Sequence, residues 1–231
     1  MVKLLVLADD FPGSLDTGVY TYTVSAECIS YYVDDNDELV ESVKELVVER
    51  HRCIITDYTH PNDITGWGVD VSVWNGYIDW SQARYDLDFA ILRSSFEDVT
   101  DNRFVEYATN CDKYGIPFGV YVYSYAENVA EAEAEARHAV SLVKNYEMMQ
   151  LPIFFDAEDE VLAALSKSEL QAVTKAFIDV VRESGYEAGI YTGISWFNYY
   201  YNTPYFNSVA KWLVQIDGFY GGYTNSYNGG V

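Results

Sequence analysis

The chain has 231 residues, of which 49% are hydrophobic, and it carries a formal net charge of −22. This length and apolar content suffice for one barrel-sized domain, or for a smaller domain with an appendage. The negative charge argues against nucleic acids and anionic membrane surfaces as partners, because both attract lysine and arginine.

The first 63 residues differ in composition from the rest of the chain. They begin with an apolar strand, Lys3 to Ala8, which is too short for the core of a signal peptide. A β-like segment rich in threonine and tyrosine follows from Val19 to Val24, and an acidic amphipathic helix from Asp37 to Glu49. Thr56 to Thr65 is predicted to be a linker. We therefore expect residues 1–63 to form a small N-terminal α/β appendage.

Strand and helix patterns alternate regularly in the predicted main domain, residues 64–231. The predicted strands are Gly68–Ser72, Phe89–Ser94, Phe118–Tyr125, Pro152–Phe155, Ala188–Thr192 and Lys211–Ile216. One predicted helix begins at Asp79, and the others are Asn102–Tyr114, Ala130–Asn145 and Ser168–Ser184, the last capped by Gly185. This spacing favours βα units closed into a parallel barrel, and a doubly wound open sheet is the structural alternative.

No motif indicates a metal or a cofactor. The cysteines and histidines are scattered without metal-ligand spacing; they are Cys28, Cys53, Cys111, His51, His60 and His138. Neither a Gly-X-Gly-X-X-Gly nor a Walker loop follows any predicted strand, which weakens nucleotide binding. No apolar run approaches the ~20 residues of a membrane span. We predict no cofactor, no metal and no membrane span.

The most informative segment is Leu151 to Glu158, a short apolar strand that ends in two carboxylates. Side chains at positions i and i+2 of a strand point to the same face, so Asp156 and Glu158 are expected to project together. Paired carboxylates across a sugar linkage are the working groups of most glycoside hydrolases. An acidic pair after a strand is also a common way to begin a helix or a solvated loop.

Six motifs occur in one order along the main domain. They are Gly68-Val-Asp-Val-Ser-Val-Trp-Asn-Gly76, Ile78-Asp-Trp80, Phe89-Ala-Ile-Leu-Arg93, Gly115-Ile-Pro-Phe-Gly-Val-Tyr-Val-Tyr-Ser-Tyr125, Pro152-Ile-Phe-Phe-Asp-Ala-Glu158 and Gly189-Ile-Tyr-Thr192. Together they resemble glycoside hydrolase family 25, the Chalaropsis-type lysozymes found among phage endolysins and bacterial wall hydrolases. The resemblance covers about residues 66–216.

The resemblance implies a modified TIM-like β/α barrel that hydrolyses the β-1,4 bond between N-acetylmuramic acid and N-acetylglucosamine in peptidoglycan. It implies that Glu158 is the general acid, that Asp156 is its partner carboxylate and that Asp70 is a further catalytic acid. A carboxyl group crowded by other carboxylates behind aromatic walls should keep its proton near neutral pH, as a general acid requires. For Asp70, a buried carboxylate that only braces the first strand is the structural alternative.

Aromatic residues make up 16% of the chain, and their flat faces with polar edges suit sugar rings. The resemblance matches either Tyr121 or Tyr123 to a tyrosine of the substrate cleft, and strand alternation puts both on one face. Trp80 is expected to pack at the start of a helix. The complete set of candidate substrate-binding residues is Tyr121, Tyr123, Tyr191, Trp74 and Trp196.

Two features depart from the family pattern. The family's usual closing strand with a Trp-Gln-Tyr run, and its terminal active-site aspartate, are not found after Ile216, where a Gly/Tyr/Asn-rich tail follows. We therefore expect a barrel that lacks its final strand, unless residues 1–63 or another chain supplies it, or the protein is an inactive relative. An unclosed edge invites self-association. Asp217 is a candidate replacement for the missing acid.

The second departure is a short resemblance of Leu4 to Gly18 to the opening strand and loop of four-carbon acid sugar kinases. Pro12 and Ser14 stand where that family tends to have threonine and alanine. Nothing downstream continues this resemblance, and no kinase activity follows from it.

The leading hypothesis is therefore a peptidoglycan hydrolase that binds glycan strands and acts outside the cell or in the cell wall. A catalytically inactive module that binds wall carbohydrate or serves in assembly is the alternative. The absence of a recognisable signal peptide is compatible with accumulation in the cytoplasm and phage-type release.

Overall fold

Nine strands occur in the part of the chain that the computed structural model describes, which is residues 5–8, 52–57 and 60–214. They are β1 (Leu5–Ala8), β2 (Arg52–Asp57), β3 (His60–Val71), β4 (Phe89–Phe96), β5 (Val99–Thr100), β6 (Phe118–Tyr123), β7 (Met149–Asp156), β8 (Ala188–Gly193) and β9 (Ala210–Val214). All six strands predicted for the main domain are present. The tail after Val214, with Asp217, lies outside the described residues, as do the predicted segments Val19–Val24 and Asp37–Glu49.

The strands form one curled sheet with a parallel majority. Strands β3, β4, β6, β7, β8 and β9 pair in that order, each parallel to the next. Strand β1 pairs in parallel with β9 and antiparallel with β2, and β2 pairs antiparallel with β3. These pairings close a ring, and β5 adds a short hairpin to the end of β4. The fold is thus the expected modified TIM-like barrel.

Residues from the predicted appendage occupy the edge that the sequence left open. Strand β1 pairs with the edge of β9 that β8 does not occupy, so a strand of the same chain fills the position of the missing strand. The linker predicted over Thr56–Thr65 was wrong, because the end of β2 and the first half of β3 cross it and pair with each other. The boundary at residue 64 falls inside β3; the division into two domains and self-association through an open edge stay predictions.

Helices connect the parallel strands, as the alternation of patterns predicted. They are α1 (Trp80–Ala83), α2 (Phe104–Tyr114), α3 (Val129–Val143), α4 (Glu160–Ala163), α5 (Lys167–Glu183), α6 (Ile194–Trp196) and α7 (Pro204–Asn207). A 3₁₀ turn spans Val73–Asn75, and a π-helical turn spans Phe197–Tyr201. The predicted helices α1, α2, α3 and α5 are confirmed, with ends within two residues of those expected.

Side-chain caps explain where several helices begin and end. Asp79 and Asn128 accept hydrogen bonds from the first turns of α1 and α3, and Ser166 forms a capping box with Glu169 at the start of α5. Helix α2 ends at Gly115, whose φ of 69° is a left-handed conformation that glycine adopts without strain. Local sequence therefore sets these boundaries.

The core has two layers separated by the sheet. The outer layer lies between the strands and the helices and contains the side chains of Val120, Ile153, Phe155 and Phe177, among others. The inner layer fills the barrel with Phe89, Ile91, Tyr121, Phe154, Tyr191, Ala210, Trp212 and Val214. Alternation along each strand therefore decides which side chains face the interior.

Glycine creates the space that the interior rings occupy. A Cβ at Gly189 would lie 2.4 Å from the ring of Phe154, and a Cβ at Gly68 would lie 2.5 Å from the ring of Phe89. Each ring thus lies directly against the backbone of the neighbouring strand. The interior tolerates no added carbon at these positions without displacement of a ring.

We predict that Gly189→Ala lowers the free energy of unfolding by about 1–3 kcal/mol, because the new methyl group overlaps the Phe154 ring. Chemical denaturation measures this change. Gly193→Ala on the same strand is the matched control, since its Cβ would approach no atom closer than 4.0 Å. Equal losses in the two variants would contradict the packing described here.

Candidate active site

Two acidic positions mark the carboxyl end of β7. Phe154 faces the barrel interior, so Asp156, two residues later on the same strand, faces the same way. Asp156 is 3% exposed and is aligned between Tyr123 of β6 and Tyr191 of β8. Glu158 follows in the loop and is half-buried. The strand thus ends with one buried and one accessible carboxylate.

Tyr123 lies among the carboxylates at this end of the barrel. Its hydroxyl donates a hydrogen bond to Oδ2 of Asp159 at 3.1 Å. Burial raises the pKa of Tyr123 well above its ordinary value, and the charges of Glu158, Asp156 and Asp159 raise it further. The phenol therefore stays protonated and remains a hydrogen-bond donor next to Glu158.

Asp70 faces the barrel interior from the neighbouring part of the sheet. Gly68 lies against the interior ring of Phe89, and alternation gives Asp70 the same orientation. In the strand register, Asp70 of β3 lies beside Ile91 of β4, which lies beside Gly119 of β6. Gly119 comes two inward-facing positions before Tyr123 on β6. Barrel strands are tilted and staggered by about one residue per strand, which brings residues on separated strands to a common level.

The inner aromatic candidates differ in exposure. Tyr121 and Tyr191 are only 7% and 4% exposed, and both rings contact Trp212 edge to face, with centroids 5.7 and 4.6 Å away. Tyr123 lies near Glu158 and donates its hydroxyl to Asp159. Tyr121 and Tyr191 pack with Trp212 and form the floor of the site.

The two candidate tryptophans lie in loops that follow barrel strands. Trp74 is in the 3₁₀ turn after β3 and is 53% exposed, so its face is accessible. Trp196 ends α6 after β8 and is partly buried against the outer core, with its ring 5.1 Å from that of Tyr200. Trp80 is 2% exposed at the start of α1, where the sequence predicted packing.

A buried ion pair fixes the loops around the site. Nε of Arg93 donates to Oδ2 of Asp101 at 2.8 Å, and both side chains are almost fully buried. The same oxygen accepts the backbone N–H of Val73 at 3.0 Å, while Oδ1 accepts that of Arg103 at 2.8 Å. One carboxylate thus joins β4, the loop after β3 and the start of α2.

Sequence reasoning missed the ion pair, Trp212 and a buried glutamate, Glu135. Arginine at the end of the apolar run Phe89–Arg93 was a sign that a buried partner exists. Glu135 shares the helix face of Ala132, Ala136 and Ala139, and that spacing marks it as buried. The sequence could not identify the partner of either charge, because the partners lie on other elements.

The chain matches a known protein family. The family model Glycosyl hydrolases family 25 matches residues 69–225, which is more than half of the chain. The match begins within β3 and includes every candidate site residue named above. A search of curated protein sequences found no match.

Solved structures are similar over much of the chain. The modular autolysin LytC from Streptococcus pneumoniae is 25% identical with a TM-score of 0.58, over 70% of this chain and 38% of that one. The catalytic domain of endolysin ply40 from bacteriophage P40 of Listeria monocytogenes is 28% identical with a TM-score of 0.50, over 58% and 66%. A bacterial lysozyme from Streptomyces coelicolor shares the fold at 22% identity and a TM-score of 0.54, over 64% and 72%.

The chain covers little more than a third of the autolysin that it matches.

None of the helices among residues 5–8, 52–57 and 60–214 has the length and apolar character of a membrane span.

We predict that Asp101→Ala lowers the free energy of unfolding by about 3–5 kcal/mol, because it leaves the Arg93 charge buried without its carboxylate. Denaturant titration measures this loss. Glu106→Ala is the matched control: its carboxylate pairs with Arg103 at the surface, where such pairs contribute at most about 1 kcal/mol. A loss for Asp101→Ala no larger than that of the control would contradict this role.

Proposed function

The chain belongs to glycosyl hydrolases family 25, and from that premise we propose that it is a peptidoglycan hydrolase of the N-acetylmuramidase type. The observation that carries the proposal is the pair Asp156 and Glu158 at the carboxyl end of a parallel barrel strand. Barrel enzymes build their active sites at this end. The proposed substrate is the β-1,4 bond between N-acetylmuramic acid and N-acetylglucosamine.

Glu158 is the proton donor in this mechanism. It is half-buried, so a sugar oxygen can reach it, and the neutral hydroxyl of Tyr123 lies close by. Cleavage of the glycosidic bond requires protonation of the leaving oxygen while positive charge develops at the anomeric carbon. A carboxyl group near other carboxylates retains its proton to higher pH, which suits this role.

Asp156 is the partner that responds to the developing positive charge. Its burial limits contact with water, and a carboxylate stabilises an oxocarbenium-like centre more strongly where water is excluded. It acts either on the anomeric carbon directly or by orienting the N-acetyl group of the substrate. Asp70 is a third acid on the inward face, with a role in holding the substrate or the charge of the pair.

Aromatic side chains bind the glycan on either side of this centre. Trp74 offers an exposed face in the loop after β3, and Tyr123 offers a hydrogen-bond donor beside Glu158. Trp196 lies after β8, on the opposite side of the carboxylates in strand order. Tyr121 and Tyr191 support the floor beneath the substrate.

The burial of Asp156 is better explained by a hydrolytic function than by binding to the wall alone. A module that only binds carbohydrate needs aromatic faces and polar edges, and it gains nothing from a carboxylate that is 3% exposed at a strand end. The protein is therefore proposed to act on the cell wall as an enzyme, with peptidoglycan glycan strands as its partner.

We predict that Glu158→Gln reduces hydrolysis of purified cell walls by at least ~10²-fold, because the amide cannot donate the proton. Release of reducing sugar measures the rate, and an unchanged thermal midpoint shows that the fold is intact. Glu160→Gln, an exposed position in the first turn of α4, is the matched control and should retain activity. Near-normal turnover by Glu158→Gln would rule out this assignment.

We also predict that the rate on intact Gram-positive walls rises severalfold with ionic strength. The chain carries a net charge of −22, and anionic wall polymers repel it over the Debye length, which shrinks from ~30 Å at 0.01 M salt to ~8 Å at 0.15 M. The same rate measured on uncharged glycan fragments should change little. A rate on intact walls that falls with added salt would contradict the prediction.

A further inference from the structure

A glutamate on α3 is buried beside the loop that follows β6. Glu135 is 4% exposed, and both of its carboxylate oxygens accept hydrogen bonds. Oε2 accepts the hydroxyl of Ser124 at 2.6 Å, and Oε1 accepts the backbone N–H of Tyr125 at 3.1 Å. The side chain therefore holds two consecutive residues of this loop at once.

The same contacts continue to the carboxyl end of β7. Oγ of Ser124 accepts the backbone N–H of Ala126 at 3.2 Å, and the backbone N–H of Ser124 donates to the carbonyl oxygen of Asp156 at 3.4 Å. Residues Ser124 to Ala126 are thus fixed to α3 on one side and to the strand end of Asp156 on the other. The turn has little freedom while Glu135 is in place.

Two tyrosines flank the fixed turn. Tyr123 donates its hydroxyl to Asp159, and its pKa is raised by burial and, next, by the nearby charge of Glu158. The ring of Tyr125 lies 5.2 Å from that of Tyr123 and is 36% exposed. A sugar that contacts Glu158 is therefore within reach of the Tyr125 face, and the orientation of that face depends on the backbone that Glu135 holds.

A carboxylate that holds a turn from a buried position loses its hydration, which costs free energy. Burial raises the pKa of Glu135 to about 7. The hydrogen bonds from Ser124 and Tyr125 lower this pKa, whereas the charges of Glu97, in the turn after β4, and of Glu131 on α3 raise it. Two acceptor oxygens on one planar group satisfy both donors, whereas a glutamine offers only one. The two-point contact is what the ionisable side chain provides.

We propose that Glu135 is a positioning residue that acts through Tyr125, holding its ring as the binding face for the sugar next to Glu158. This role rests on the proposed function, since it assigns a glycan to that face. Glu135 itself does not touch the substrate.

A double-mutant cycle separates this role from simple support of the fold. Glu135→Ala, Tyr125→Ala and the double variant are compared for kcat and KM on soluble glycan fragments of peptidoglycan, well below their thermal midpoints. We expect each single variant to raise KM about five- to tenfold, and the double variant to be no worse than Tyr125→Ala. Glu135→Gln should lie between wild type and Glu135→Ala, because it keeps one acceptor.

Glu133→Ala is the control on the same helix, since Glu133 pairs with Arg137 at the surface. It should leave KM unchanged. Additive effects of Glu135→Ala and Tyr125→Ala on KM, or a Glu135→Ala variant that loses stability with an unchanged KM, would overturn the proposal.

The same cycle is repeated in a Glu158→Gln background, where intrinsic fluorescence measures the Kd for the glycan fragments. This second cycle distinguishes failure of the proposed function from failure of the role of Glu135. If the wild-type protein binds fragments without hydrolysis and the Kd cycle is non-additive, the proposed function fails and the role of Glu135 stands. If hydrolysis is normal and the cycle is additive, only the role of Glu135 fails. If the wild-type protein neither binds nor hydrolyses the fragments, and no variant binds them, both fail.

Discussion

Large aromatic rings inside the barrel lie directly against the backbone of glycines on neighbouring strands, and this contact determines how the barrel is filled. Phe154 fits only because Gly189 has no side chain, and Phe89 fits only because of Gly68. Tyr121, Tyr191 and Trp212 complete this filling, so the barrel interior is a packed core, and the acidic side chains of β7 lie at its carboxyl end. Asp156 lies two residues after Phe154 on the same strand, and its side chain is 3% exposed.

Two buried carboxyl groups hold the loops above this floor. The carboxylate of Asp101 gathers the loop after β3 and the start of α2 around Arg93, and that of Glu135 holds the turn after β6. Each is costly to bury, and both oxygens of each accept hydrogen bonds, as buried polar groups in folded proteins usually do. The loops that carry Trp74 and Tyr125 are thereby fixed relative to Asp156 and Glu158.

Local patterns predicted most of the main domain, because its strands and helices are set by periodicity and by caps such as Asp79 and Ser166. Alternation predicted that Tyr121 and Tyr123 share one face of their strand, but only the packed rings of Phe89 and Phe154 show which faces point into the barrel. The strands between Thr56 and Thr65 were missed, since Pro61 and Asn62 favour turns and only pairing with distant strands makes this segment extended. The partners of Arg93 and Glu135 were missed for the same reason: they are contacts between elements that the sequence separates. The closure of β9 by β1 was one of several outcomes that the sequence left open.

We propose that this end of the barrel hydrolyses the β-1,4 bond that follows N-acetylmuramic acid, so that N-acetylmuramic acid becomes the reducing end. Mass spectrometry of the muropeptides released from purified walls identifies the bond that is broken, because that bond determines which sugar becomes the reducing end. We expect fragments that end in reducing N-acetylmuramic acid, formed by the wild-type protein and not by Glu158→Gln. Fragments that end in reducing N-acetylglucosamine, or walls left uncut by the wild-type protein, would contradict it.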